Sequence, residues 1–417
     1  MSGLVLIVSR SLRQHALSTL VTVMSVALAC GLVMAVFVVR KQTNEAFIAS
    51  SVGYDAVLGA RGSQLQLILN TVFHLETSPG NIPWSLYQAV KNDPKVALAV
   101  PYAVGDNYRG FRIVGTTEEI FTKFEYQEGR KFAFADGRPF DVLRREAVIG
   151  SFVSQRTGLR VGDVFNPYHG ITYDENMRHD EEYVVTGVMA PSNTPSDRVI
   201  WIPIEGIFRM GGHVLRAGGV EFEAKPGVEI PDESKEVSSV MLKFNSPQAG
   251  IAMDQLINKQ GKVATLAWPI ERVLLDLFDK IGWMDRVLAM VAYLTVVVAA
   301  GSILASVYNT MNERRREFAI LRALGARRNT VFSAIVCEAG TIAALGSLAG
   351  FGVYAVILGV AASIIRAQTG VVLEVLQWHT VLAAAPLGMI LLGALAGVVP
   401  AMKAYRTDVA ENLSPLS

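Results

Sequence analysis

Four apolar runs, residues 17–39, 287–308, 331–365 and 381–399, constrain this 417-residue chain more than anything else in it. Each reaches the roughly 20 residues a helix needs to cross a bilayer core of about 30 Å. A water-soluble globule has nowhere to bury four of them. The third is longer than a span requires: at ~1.5 Å per residue it would reach roughly 50 Å, so it must tilt, kink near its glycines, or run on beyond the hydrocarbon. The first is too long for the apolar core of a cleaved leader. It ends in Val38-Val39-Arg40-Lys41, with no small-residue cleavage pattern, so a retained anchor is expected.

Between the first and second runs lies a polar stretch of over two hundred residues, which explains an intermediate composition. With 51% hydrophobic and 18% charged residues, the chain is too apolar for one soluble globule and too polar for membrane helices alone. Its net charge of +1 carries no nucleic-acid footprint. Cys30 and Cys337 both fall inside apolar runs, so the polar stretch has no disulfide to staple it and must hold together by its core.

Short-loop arginines and lysines orient the spans. Arg10 and Arg13 precede the first, six arginines follow the second, and Lys403 and Arg406 follow the fourth, whereas the loop between the third and fourth has only Arg366. Four spans with both termini cytoplasmic put every basic cluster on one side and the polar stretch on the other. That stretch reads as mixed α and β: strands at Phe111 to Val114, Ala147 to Ile149, Tyr183 to Val188, Val199 to Ile202 and Val240 to Phe244, and helices at Trp84 to Asn92 and Pro247 to Gln260. Residues 211–239 are expected to be a mobile insertion. Ile270, Leu274, Leu277, Phe278 and Ile281 recur at three and four, so a helical stalk should lead straight into the second span.

The segment Asn312 to Thr330, NERRREFAILRALGARRNT, packs six arginines beside one apolar helical face. Phe318, Leu321, Arg322 and Gly325 lie at helical spacing, giving a ridge suited to a cleft on another protein, with Glu317 and the arginines fixing its orientation. Gly325 would end the helix at φ > 0. A basic loop lying on anionic lipid is the bland alternative.

Other candidates are weaker. Glu338, the sole acid within the spans, is a functional candidate by position, although it could reach water or pair with Arg327 or Arg328. Gly346 and Gly350 permit close helix contact, either within the chain or between copies. His169, His179, Asp180, Glu181 and Glu182 lack the spacing of a defined metal site, and none is expected. Tyr54 to Asn70 places Leu58, Leu65, Leu67, Ile68 and Leu69 just beyond the first span, where they could line an apolar route or, more simply, pack the domain's base.

These residues resemble a known family, the four-span ABC permeases of the lipoprotein-release, macrolide-exporter (MacB) and cell-division FtsX type. Arg316-Glu317-Phe318-Ala319-Ile320-Leu321-Arg322-Ala323-Leu324-Gly325-Ala326 is similar to the family's RE-x-x-x-x-R-A-L-G-A signature after the second span. Cys337-Glu338-Ala339 followed by Gly346, Gly350 and Gly352 resembles its third span. Pro400-Ala401 with Ala404 and Asp408 resembles its C-terminal motif, except that Val409 stands where proline is common. Val148-Ile149-Gly150, Gly158 to Asp163 and Val185 to Val188 resemble its periplasmic strand and turn signatures.

The resemblance implies a membrane α-helical protein of four transmembrane helices, with a large α+β domain outside the cytoplasm inserted between helices 1 and 2. The divisions are 1–16 a cytoplasmic amphipathic segment, 17–39 the first span, 40–268 the periplasmic domain, 269–309 stalk and second span, and 310–330 the coupling helix. Then follow 331–365 and 381–400 as the third and fourth spans, 366–380 as a short loop between them, and 401–417 as a cytoplasmic tail. No GxxxxGK followed by Ser or Thr occurs. ATP and Mg2+ would therefore be bound by a separate cytoplasmic ABC ATPase dimer, with this chain binding no cofactor of its own. The permease would pair with a second copy or a related permease in a bacterial inner membrane. Motion driven by ATP would reach the outer domain for export or release of a lipoprotein, lipid or small molecule.

Three other classes compete. An importer or ion-coupled carrier would need more spans or midplane polar residues. A membrane protease would need a nucleophile and base, or a metal, at convincing spacing. A signalling or scaffold protein that activates a periplasmic partner could use the same four spans.

Overall fold

The structure, a computed structural model, describes residues 2–49, 53–211, 213–216, 221–224, 228–373 and 377–406. They form two compact units, one of residues 1–43, 281–363 and 374–417 and the other of residues 44–280 and 364–373.

The first unit is helical. The apolar runs become Ala16–Ala49, Ile270–Glu313, Arg328–Thr369 and Val381–Arg406, each long and apolar enough to cross a membrane. The surplus length of the third run is resolved by continuation, in one unbroken helix of 42 residues. The stalk expected before the second span is likewise continuous with it, in a helix of 44 residues. Ser2–Gln14 forms a short amphipathic helix ahead of the first span.

Small residues decide how the long helices meet. A Cβ on Gly346 would lie 2.5 Å from Val26 Cβ, and one on Gly350 would lie 3.1 Å from Cys30 Cβ, so both glycines seat the third helix on the first within the chain. Gly393 and Gly397 seat the fourth helix on Ala343 and Ala339 of the third in the same way. Exposed Leu17, Leu20, Met24 and Leu28 form one face of the first helix, suited to lipid rather than water.

The second unit is built on an 11-stranded mixed sheet. Its longest strand, Val96–Tyr108, serves both halves, pairing antiparallel with Ser239–Phe244 through its first part and with Phe111–Thr116 through its second. Phe111–Thr116 pairs in parallel with Ile200–Pro203, and Glu146–Ile149 pairs in parallel with Tyr183–Met189. Period-two alternation sends Ile200 and Ile202 into one hydrophobic core and Trp201 into the other, so the sheet is covered on both faces. Tyr54 to Asn70 belongs to this packing, as strand Ala56–Ala60 and helix Gln64–Thr71 with Leu58, Leu67 and Ile68 wholly buried.

The expected helix at Pro247 to Gln260 is α-helical to Asp254 and π-helical from Gln255. Within 211–239, Gly212, Ala217 to Val220 and Lys225 to Gly227 lie outside the described residues. Parts of the described remainder pair or are buried. Val214–Leu215 pairs with Phe222–Glu223, Glu236–Val237 pairs with Ile82–Pro83, and Leu215, Ile230 and Val237 are buried.

Candidate functional site

The motif between the second and third spans folds as the helix Arg315–Ala323. It ends as its sequence requires. Gly325 takes φ 99°, the Ala326 amide donates to the Leu321 carbonyl at 3.0 Å, and the Gly325 amide donates to the Arg322 carbonyl at 3.0 Å. This paired closure satisfies two carbonyls that a helix end otherwise leaves open, and it needs a residue free to adopt a left-handed conformation.

The exposed face differs from the ridge that spacing suggests. Phe318 and Ala319 are buried, and Leu321 and Arg322 are half-buried, so these residues fasten the helix to its own chain. Ile320 at 44% and Leu324 at 81% exposure carry the outward apolar surface, beside exposed Arg316, Glu317, Ala323 and Gly325, with Ala326 half-buried. Periodicity alone could not separate the two faces, because apolar residues lie on both.

Beneath the helix, Glu338 is a hub rather than a solvent-facing acid. It accepts from Ser11 Oγ at 2.6 Å and faces Arg314 Nη1 at 3.7 Å, so its partner is Arg314 and not Arg327 or Arg328. Arg314, itself buried, donates from Nε to Glu317 at 2.8 Å and lies 5.1 Å from the Phe318 ring centre. His15 bridges the Ser11 carbonyl and Glu313. One carboxylate thereby joins the N-terminal helix, the end of the second span, the motif helix and the third span. Arg328 and Lys403 lie over the rings of Tyr405 and Tyr308 at the same end. Pro400 and Ala401 are buried there, whereas Asp408 and Val409 lie outside the described residues.

In the sheet unit a second polar cluster forms where sequence spacing gave no sign of one. The strand Val96–Tyr108 shifts register between Val104 and Asp106, with Gly105 as the extra residue, and the shift aims Asp106 at three imidazoles. The strand Tyr168–His169 pairs with it, placing His169 opposite Asp106. Asp106 Oδ1 lies 3.1 Å from His179 Nε2, 3.2 Å from His213 Nε2 and 3.4 Å from His169 Nδ1. His169 and His179 therefore do converge, through two residues that the cluster 169–182 does not contain. Asp180 and Glu182 stay exposed, and Glu181 accepts from the Gly211 amide at 3.0 Å.

Burial acts to raise the Asp106 carboxyl, but hydrogen bonds from His179 and His213 outweigh it and leave it below its ordinary range. Burial lowers His179, yet Asp106 and a backbone hydrogen bond at Gly211 leave it net raised.

Comparison with known proteins agrees with the fold. Residues 19–240 match the MacB-like periplasmic core domain family, and residues 289–409 match the FtsX-like permease C-terminal family. The pyoverdine export ATP-binding/permease protein PvdT of Pseudomonas fluorescens (strain Pf0-1) is 23% identical over 366 residues, covering 85% of this chain and 51% of that protein. The macrolide export ATP-binding/permease protein MacB of Nitrobacter winogradskyi is 30% identical over 130 residues, 31% of this chain and 19% of that protein. This chain thus spans about half the length of the first relative. The periplasmic region of MacB from Actinobacillus actinomycetemcomitans superposes on 55% of this chain and 95% of its own at a TM-score of 0.33 and 11% identity. With the first family match covering more than half of its residues, the chain belongs to the ABC transporter permeases that join a MacB-like periplasmic core domain to an FtsX-like membrane region.

Proposed function

We propose that this chain is the permease subunit of an export or release complex, in which a separate cytoplasmic ABC ATPase dimer docks on Arg315–Ala323 and its end at Gly325. ATP and Mg2+ bind to that ATPase. Two permease copies, or this chain and a related permease, receive its motion with both termini cytoplasmic in a bacterial inner membrane. The periplasmic domain answers by moving a lipoprotein, lipid or small molecule. Coupling of this kind needs two states of the domain biased by nucleotide.

The observation that carries the reading is the motif helix itself, locked from below by Glu338 and Arg314 and presenting Ile320 and Leu324 outward. An exposed apolar pair ringed by charge is suited to a partner's groove. Both curated relatives are named as export proteins that combine ATP-binding and permease functions, which favours export over other uses.

The test is affinity purification of the detergent-extracted chain from its native membrane, comparing wild type with Leu324→Asp. An ABC ATPase recovered with wild type and lost with the variant supports docking on this face. Equal recovery overturns it. Cargo or a periplasmic protein trapped with the wild type would separate release from signalling.

A further inference from the structure

We propose that Asp106, His169, His179 and His213 form a closed binding site for one divalent transition-metal ion of the zinc class. The four ligand atoms lie within 4.8 Å of one another. The three distances from Asp106 Oδ1 to imidazole nitrogens, 3.1, 3.2 and 3.4 Å, match three of the six edges of a tetrahedron, and the other three are bounded by 4.8 Å. Ligands at ~2.0–2.1 Å from a zinc ion stand about 3.3 Å apart. Three imidazoles and a carboxylate are a donor set that suits zinc better than calcium or magnesium, which prefer oxygen.

Hydrogen bonding alone accounts poorly for this arrangement. Three ring nitrogens converge on a single oxygen, while Oδ2 of the same wholly buried side chain has no partner. A carboxylate oxygen has two lone pairs to offer, so a simple donor network would spread its bonds over both oxygens. A central cation bound by Oδ1 and the three nitrogens accounts for their convergence on one point.

The surroundings also resemble a supporting shell. Asn107 Nδ2 donates to the carbonyls of Tyr168, Gly170 and Thr172, fixing the turn that carries His169. Asn166 Nδ2 donates to the carbonyls of His179, Asp180 and Glu181. Such outer contacts orient metal ligands and hold their rings. The charges close as well, since Asp106 and Glu181 together balance a dication. A cavity of about 330 Å³ borders His169 and His213 and gives the ion a way in.

With four protein ligands the site has no open position, which makes it structural rather than catalytic. Its ligands come from the long strand, the short strand Tyr168–His169 paired with it, the segment at 179 and the segment at 213. Bound metal would thus pin the short strand Tyr168–His169 and the segments at 179 and 213 to the long strand, independently of whether the ATPase-docking reading holds.

The experiment uses the full, tag-free chain in detergent, stripped with chelator, reloaded with Zn2+ or with Co2+, passed through gel filtration and assayed for metal content. The expected result is one ion per chain, intense tetrahedral Co2+ absorption, and zinc affinity at least about tenfold lower in His169→Ala and in His213→Ala, since even outer-shell losses cost that much. Asp180→Asn and Glu182→Gln should bind as wild type does. Zn2+ should raise the thermal midpoint of wild type and not of the two histidine variants. Absence of a stoichiometric ion, weak octahedral-type Co2+ bands, or unchanged affinity in the histidine variants would overturn the site. The wild-type stoichiometry and spectrum decide the matter even if a variant fails to fold.

Discussion

The two buried carboxylates, Glu338 in the helical unit and Asp106 in the sheet unit, are held in opposite ways. Glu338 has one hydroxyl and one guanidinium on its two oxygens, from groups that belong to the motif region or the N-terminal helix. Asp106 has three imidazoles on one oxygen and none on the other. Each leaves one buried polar atom without a hydrogen bond: Arg314 Nη1, which only approaches Glu338 as an ion pair at 3.7 Å, and Oδ2 of Asp106 itself. A buried charge is stable only when its partners are all present, so the two clusters should respond differently to the same insults.

The largest response is expected from acid. Burial drives His74 down from its ordinary value of 6.5 to about 3, with Arg112 and Arg198 adding to the effect. Between those pH values the unfolded chain takes up a proton that the folded domain refuses, so stability falls as pH drops through 6.5 toward 3, by on the order of 4–5 kcal/mol at the lower end. Chemical denaturation followed at Trp201, whose ring lies 5.9 Å from that of His74, should show the loss. A flat profile in wild type, or the same slope in His74→Phe, would exclude His74 as its cause.

Next comes Arg314→Leu, which leaves Glu338 buried beside Ser11 alone and should cost about 3–5 kcal/mol. Thermal unfolding in detergent measures it. The pair Arg314→Leu with Glu338→Leu should recover a large part of that loss, and a double variant as weak as the sum of the two singles would mean the groups are not coupled. Gly346→Val should cost about 1–3 kcal/mol by driving a branched side chain into Val26. Gly352→Val, in the same helix with open space around it, is the matched control. If both behave alike, the close approach is unimportant. Smallest is Ser11→Ala, which removes one hydrogen bond from a carboxylate that keeps Arg314, at about 1 kcal/mol.

What the sequence disclosed follows the same division. Apolar runs of bilayer length and a contiguous motif are local properties, so four spans, the stalk and the glycine-ended helix were all legible. Strand positions near 111, 147, 183, 200 and 240 were legible too, because β-branched residues cluster there. The strand Val96–Tyr108 was not read at all, and Pro101 and Gly105 interrupt its β pattern. In the sheet Pro101 keeps its carbonyl at work, accepting from Thr116 Oγ1, and Gly105 serves as the extra residue of a bulge. Which face of the motif helix points outward was hidden because Phe318 and Leu324 are equally apolar and only packing distinguishes them. The cluster at Asp106 was hidden most thoroughly. Its four residues are separated by 63, 10 and 34 positions, and a register shift in one strand is what unites them.

The unbroken helix Ile270–Glu313 has one further consequence. A helix of this length is about 66 Å of continuous hydrogen-bonded ladder, and sharp bends in such a ladder arise at a proline, a Gly/Ser pair, a π-bulge or an inserted group. Proline lies just ahead of it, at Pro269, and none lies inside. Its Gly301-Ser302 pair is therefore where a sharp bend in this ladder is expected. The element is thus two stiff segments with one weak point between them, towards its Glu313 end.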